Sequence, residues 1–250
     1  MSNRPRPSHA WRDKLPGRKP EAYFRWRGQG VSRLENLADG VFAFSVTLLV
    51  VAQQVPTSFD GLMAVVRSFP AFVACFALLM VFWNVHYKFF RRYGLEDMFT
   101  RVVNYAILLL VLFSVYPLKF LFNSWLGGSA GVTSLPDLFL VYRIYGLGLG
   151  GIWLLFGLLF WNAYRQRERL GLSPVEVILT KLDLGSVTVN VGTCAGSIVL
   201  SFLPVHPWVP GVFYGTLGIS MWLNGTFWGR QVQAELDRQR GSRDARYSNA

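Results

Sequence analysis

Apolar runs of bilayer-crossing length alternate with short polar connections along most of this chain. A span takes about 20 residues at 1.5 Å each. By that measure the pattern predicts about six spans, at residues 37–55, 68–87, 102–122, 138–162, 184–203 and 208–228. The fold class expected is therefore all-α: a polytopic membrane protein of six transmembrane helices. Pro70 lies in the first turns of the second span, where its missing N–H costs little. A Gly/Ser-rich stretch, 125–136, joins the third and fourth spans. His206 and Pro207 make the tight turn before the sixth. Connections this short make sequential helices antiparallel neighbours.

The first span holds the one acid inside a confident apolar run, Asp39. An ionisable residue in a span is costly and marks a position that needs a partner. At 100° per residue, Phe44, Leu48, Val51 and Val55 fall on one narrow stripe, extended by Leu37 and Gly40 and bordered by Thr47. Asp39 points nearly the opposite way, with Phe42, Val46 and Val50, so it is expected to pack toward other helices of its own subunit. Trp83, Asn84 and His86 end the second span at the same depth, and Asn104 opens the third. Arg33 lies just below. These residues offer Asp39 hydrogen-bond donors at the inner end of the bundle. The plainer alternative makes Trp83 and His86 interfacial anchors only.

Charge then orients the chain. Hydrophobic residues make up 52% of it and charged residues 16%, well under the roughly 25% of a soluble average. The net charge of +11 sits in the tails and alternate connections: Lys88, Arg91, Arg92 and Arg101; Arg165, Arg167, Arg169 and Lys181; Arg230, Arg238, Arg240, Arg243 and Arg246. The other connections are nearly bare, and Arg67, Lys119 and Arg143 are close enough to span ends to snorkel. All the basic segments fall on one side if both termini are cytoplasmic, and an odd span count would break that alternation. The domain plan is a basic, mostly disordered tail at 1–32, a membrane domain at 33–229, and a basic tail at 230–250. Small residues four apart, Gly146 and Gly150, Gly192 and Gly196, Gly211 and Gly215, permit close helix contact. They read as packing within one subunit.

Other chemistry is thin. Cys75 and Cys194 lie in apolar runs and read as buried hydrophobes. His9, His86 and His206 fall in the tail, at the inner face and outside, where they cannot meet on a metal or in a triad. No GxSxG, HExxH or P-loop occurs, and no nucleic-acid motif. The expectation is no enzyme, no metal, no cofactor and no nucleic-acid partner.

At Arg33, Leu37, Ala38 and Asp39, followed by GVFAFSVTLLV, the sequence resembles the prokaryotic branch of the transmembrane protein 175 family of potassium channels. That family's first span carries Arg-x-x-x-Phe-Ser-Asp before an apolar run. Its Trp-x-x-His signature is matched by Trp83 and His86, and the Asn opening its third span by Asn104 in NYAILLLVLFSVYPL. The resemblance covers residues 33–117. It departs at Leu37-Ala38, which replace Phe-Ser and remove a hydroxyl. The resemblance implies a pore constriction on the first span at the fifth, ninth and twelfth positions after the Asp, here Phe44, Leu48 and Val51. It also implies a homotetramer with one first span per copy around the axis, permeant potassium ions, and a cell-membrane location among membrane lipids. Phe44 is bulkier than the family's usual Ile, which implies a tighter neck.

Potassium channels are often recognised by a TVGYG filter, and none is present; Tyr145-Gly146-Leu147-Gly148 is the nearest string. Selectivity then falls to side-chain rings and a narrow apolar neck. Thr47 borders the stripe, and Gln53 and Gln54 are placed to line the outer mouth. The competing reading is a small-solute or proton-coupled secondary transporter, which should show internal repeats, broken helices and midplane charges. No convincing repeat relates the two halves.

Overall fold

The computed structural model describes residues 24–28, 30–52, 55–126 and 134–248. Among these residues it is entirely helical, in the order α1 Arg33–Val51, α2 Phe59–Arg67, α3 Phe69–Tyr93, α4 Met98–Leu126, α5 Leu135–Arg165, α6 Pro174–Leu200, the single turn α7 Val209–Val212, a 3-10 turn Phe213–Gly215, and α8 Thr216–Ser248. Five of these helices, α1, α3, α4, α5 and α6, are long and apolar enough to cross a membrane. They correspond to the first five expected spans.

Local chemistry sets several of the starts. Ser32 and Glu35 form a capping box on α1, and Ser173 and Glu176 form another on α6. Ser58 and Ser134 cap α2 and α5. Gly94 ends α3 in the left-handed conformation at φ 59°, which favours glycine.

Two expectations change here. The stretch between the first two spans contains α2, a nine-residue helix too short to register as a span. The expected sixth segment, 208–228, is broken by α7 and the 3-10 turn, and α8 continues through charged residues to Ser248.

The helices form two groups. α1 packs on α3 and α4, α6 packs on α5 and α8, and α4 and α5 join the groups. Small residues make the second group tight. A Cβ on Gly146 would lie 2.5 Å from Ile198, and one on Gly196 would lie 2.5 Å from Phe213. Gly150 faces Cys194 at 3.2 Å. These are contacts within the protomer, as the spacing predicts, although Gly192 and Gly215 face open space. Aromatic rings fill the join between the groups: Phe82 meets Trp153 and Phe156, and Phe89 meets Phe160. In α4, Pro117 removes one N–H from the helix ladder. The Tyr145 hydroxyl inserts there, donating to Pro117 O and accepting from Leu121 N.

At the basic end, residues 24–28, part of the tail expected to be mostly disordered, pack onto the bundle. Phe24 is buried, with the Arg92 guanidinium over its ring at 4.9 Å. Arg27 binds Glu176 through both terminal nitrogens, at 3.0 and 2.9 Å, and its Nε donates to Leu170 O. The Arg25 N–H donates to the same carboxylate at 2.8 Å. Gly28 approaches α3 so closely that a Cβ would lie 2.8 Å from Phe90 O. Residues 24–28 are thus a strap across the ends of α3 and α6. Composition hid it, because Pro- and Arg-rich sequence reads as unfolded, while the docking depends on one carboxylate distant in sequence.

Arg92 pairs with Asp183, and Tyr93 with Thr180, tying α3 to α6. In the α3–α4 connection, burial raises the cost of the Asp97 charge. Hydrogen bonds from Thr100 and Asn162 outweigh this and hold its carboxyl below the usual carboxylate range. That contribution to stability is present above the usual carboxylate pKa and is lost as pH falls through the lower folded value.

The strap yields a first expectation. Glu176→Gln leaves the mostly buried Arg27 without its counter-charge. Breaking one side of a buried pair costs about 3–5 kcal/mol; Arg27 keeps some solvent contact, so the lower end applies. A clear drop in melting temperature in detergent is expected, and an unchanged one would show that the strap carries no stability.

Candidate functional site

The face α1 presents is set by what α3 and α4 leave uncovered. Leu34, Glu35, Ala38, Phe42, Ser45 and Leu49 are buried against the protomer. Phe44 is 54% exposed and Val51 69%, and Leu48 is half-buried at the margin. The predicted stripe therefore lies outside the protomer's own core. Gly40, Ala43 and Thr47 lie on the same uncovered arc, and a Cβ on Gly40 would meet nothing within 4 Å. The Thr47 hydroxyl donates to Ala43 O at 3.1 Å. Its proton is used within the helix, which leaves oxygen lone pairs directed outward. Gln53 and Gln54, predicted at the outer mouth, lie outside the described residues.

Asp39 departs from expectation. It is exposed, yet it accepts a hydrogen bond from Trp83 Nε1 at 2.8 Å. The predicted partner is correct and the predicted burial is not. Phe42 faces the core, but Val50 is 53% exposed. The buried arc of α1 is centred between the stripe and Asp39, so both lie at its margins.

The remaining inner-end residues divide. His86 and Asn104 are buried together, with His86 Nε2 2.7 Å from Asn104 Oδ1. A carbonyl oxygen only accepts, so Nε2 carries the hydrogen in this pair. The Asn104 Nδ2 has no partner among the described residues. Phe42 bridges the pair back to α1, with its ring 5.9 Å from that of His86. Trp83 stacks on Tyr87 at 5.5 Å, and Trp26 of the strap meets Tyr87 edge-on. Arg33 is exposed and makes no ion pair among the described residues. The charge beside this layer comes from Arg91, whose Nε is 3.9 Å from Glu35. Glu35 was open to sequence reasoning, since Ser32 and Glu35 stand at capping-box spacing.

This arrangement holds one helix by its buried face and foot while leaving an apolar edge, with one hydroxyl, free of its own protomer. It brings no nucleophile and general base together.

Comparison with known proteins gives the same stretch a family. The sequence profile described as endosomal/lysosomal potassium channel TMEM175 matches residues 33–117, which run from the start of α1 to the Pro117 break in α4. A potassium channel of Marivirga tractuosa is 36% identical over 199 residues, covering 74% of this chain and 79% of that protein. A potassium channel of Chamaesiphon minutus is 32% identical over 93 residues, covering 34% of this chain and 46% of that one. Among solved structures, a variant of the potassium channel MtTMEM175, crystallised with a nanobody-MBP fusion, superposes with a TM-score of 0.73 at 30% identity. That match covers 83% of this chain and 97% of the channel. A Chamaesiphon minutus homologue of the lysosomal potassium-selective channel TMEM175 matches at TM-score 0.52 and 22% identity, covering 80% of this chain and 96% of that one, and it supports the fold alone. The family consists of ion channels, not enzymes, and a multi-pass membrane protein is what the apolar helices require. This chain belongs to the TMEM175 family.

Proposed function

We propose that this protein is a potassium-conducting cation channel of the cell membrane, in which four copies each place α1 at a shared axis. The observation that carries this is the stripe of Phe44, Leu48 and Val51, with Phe44 and Val51 exposed and Leu48 at the margin of the arc by which the helix is anchored. An apolar edge in a bilayer suits lipid as well as an axis. Family membership favours the axis, and so does the company the stripe keeps. Gly40 and Ala43 are small enough to admit a neighbouring helix, and Thr47 offers oxygen to a cation that sheds water.

Conduction through such a neck is governed by wetting. Phe44 is the widest of its residues and lies nearest the inner end. Selectivity is modest on this reading, because a ring of Thr47 hydroxyls replaces only part of a hydration shell. Gln53 and Gln54 follow Val51 by two and three positions in the sequence, which on this reading makes them candidates for the outer mouth. The apolar first part of α8 supplies a sixth crossing. Both termini then lie with the basic connections on the cytoplasmic side. The strap and its Glu176 contact share that side, which fits this orientation.

Potassium flux into liposomes tests the reading. Phe44→Ala should raise flux about tenfold, equivalent to roughly 1.4 kcal/mol off the barrier, with subunit number unchanged in native mass spectrometry. Thr47→Val should preserve flux but lower the preference for potassium over sodium. If neither wild type nor Phe44→Ala passes potassium while the oligomer is intact, the proposal fails.

The layer behind α1 generates a separate expectation. Asn104→Leu strands the buried His86 N–H, which costs about 1–3 kcal/mol. Adding His86→Phe removes the stranded donor and should recover most of the lost melting temperature. A double variant no more stable than the single one would show that the pair does not act through this hydrogen bond.

A further inference from the structure

At the end of the bundle opposite the strap, two hollows meet across the α1–α2 connection. The first is an apolar groove of about 500 Å³ between the end of α1, α2 and the start of α3, walled by Val50, Val66, Phe69 and Phe72. The second is a cleft of about 320 Å³ between α1, α2 and α4 that contains Lys119 and Asn123. Val55, Pro56 and Val65 line both, so the two are continuous.

Three features define an occupant. Among the described residues Lys119 is the one charged residue in the lining of either hollow, and no carboxylate accompanies it. Neither it nor Asn123 makes an ion pair or hydrogen bond among the described residues, and Lys119 is half-buried. The groove walls are apolar and open, with Val66 54% and Phe69 61% exposed. Finally, α2 has no buried residue. Its apolar side chains are at most partly covered, Met63 and Val65 half-buried and Leu62 and Val66 exposed, which leaves them surface to lie against something. A cationic end at the span terminus, leading into an apolar trough along the span, matches a lipid headgroup above its chain.

We propose that this junction holds one anionic phospholipid per subunit, with its phosphate on Lys119 and Asn123 and an acyl chain in the groove between α2 and α3. A second copy of the chain fits less well, because it would have to bring both an acid and an apolar ridge to the same place. The inference rests on the bundle lying in a membrane, not on its conducting potassium.

Native mass spectrometry of the full chain, purified in detergent with phosphatidylglycerol and phosphatidylcholine in equal amounts, tests it. Wild type should retain one more phosphatidylglycerol per subunit than Lys119→Met, and Lys119→Arg should restore it. Val66→Trp fills the trough and should lose the same lipid with the charge intact. Equal lipid counts in wild type and Lys119→Met overturn the proposal. So does a Val66→Trp variant that changes subunit number while keeping its lipids, since a neighbouring copy then occupies the groove. The readout is a lipid count, so a protein that passes no potassium can still support this site, and a conducting one can still refute it.

Discussion

α1 is covered on one side only, and the rest of the molecule is arranged around that fact. In a bilayer, apolar surface gains nothing by leaving lipid for another helix, so packing and polar contacts must hold the helices together. The covered side of α1 shows both. Ala38 is fully buried and lets the neighbouring backbones close in, while Phe42 reaches the ring of His86. Asp39 is tied to Trp83 at the margin. The direction of the apolar stripe is thereby fixed mostly by contacts other than its own, with only Leu48 of the three packing on the core. A neck built on such a helix keeps its side chains aimed whether or not water fills it.

The foot of α1 is held by the charges that also write its topology. Arg91 lies beside Glu35 of the capping box, and its carbonyl oxygen accepts from the N–H groups of Arg27 and Gly28. Arg92 reaches Asp183, and Arg27 reaches Glu176. Basic residues at this end of the bundle bind the strap, α3 and α6 into one plate. The first helix enters the bundle beside that plate. Gly28 and Gly94 allow it to be thin: the ideal Cβ of Gly94 would lie 3.2 Å from Gly28 N.

Legibility in the sequence followed the range of the signal. Long apolar windows marked α1, α3, α4, α5 and α6, because bilayer thickness demands about 20 residues whatever the packing. α2 escaped because nine residues fall below that threshold. The strap escaped because its order comes from Glu176, roughly 150 positions away in the chain. The stripe of Phe44, Leu48 and Val51 was readable from helical spacing. The burial of Asp39 was misread because a helix was treated as having two opposed faces. Its buried arc lies between them, along Ala38, Ser45 and Leu49, and no pattern of apolar residues distinguishes a protein-covered arc from a lipid-covered one. Trp83 as the partner of Asp39, and Asn104 as a neighbour of His86, were readable from depth alone, since antiparallel spans bring the end of one level with the start of the next.

The departure at Leu37-Ala38 now has a physical setting. Leu37 is 47% exposed, so exchanging an aromatic ring for an aliphatic chain changes the uncovered side of the helix and not its packed side. Ala38 stands on the packed side with no accessible surface. A serine there would bring a hydroxyl into the buried layer. Among the described residues the buried Asn104 Nδ2 has no hydrogen-bond partner, and leaving such a group unpaired costs about 1–3 kcal/mol. α1 is attached near its foot in three other ways: the Trp83 bond to Asp39, the Phe42 ring against His86, and the capping box beside Arg91.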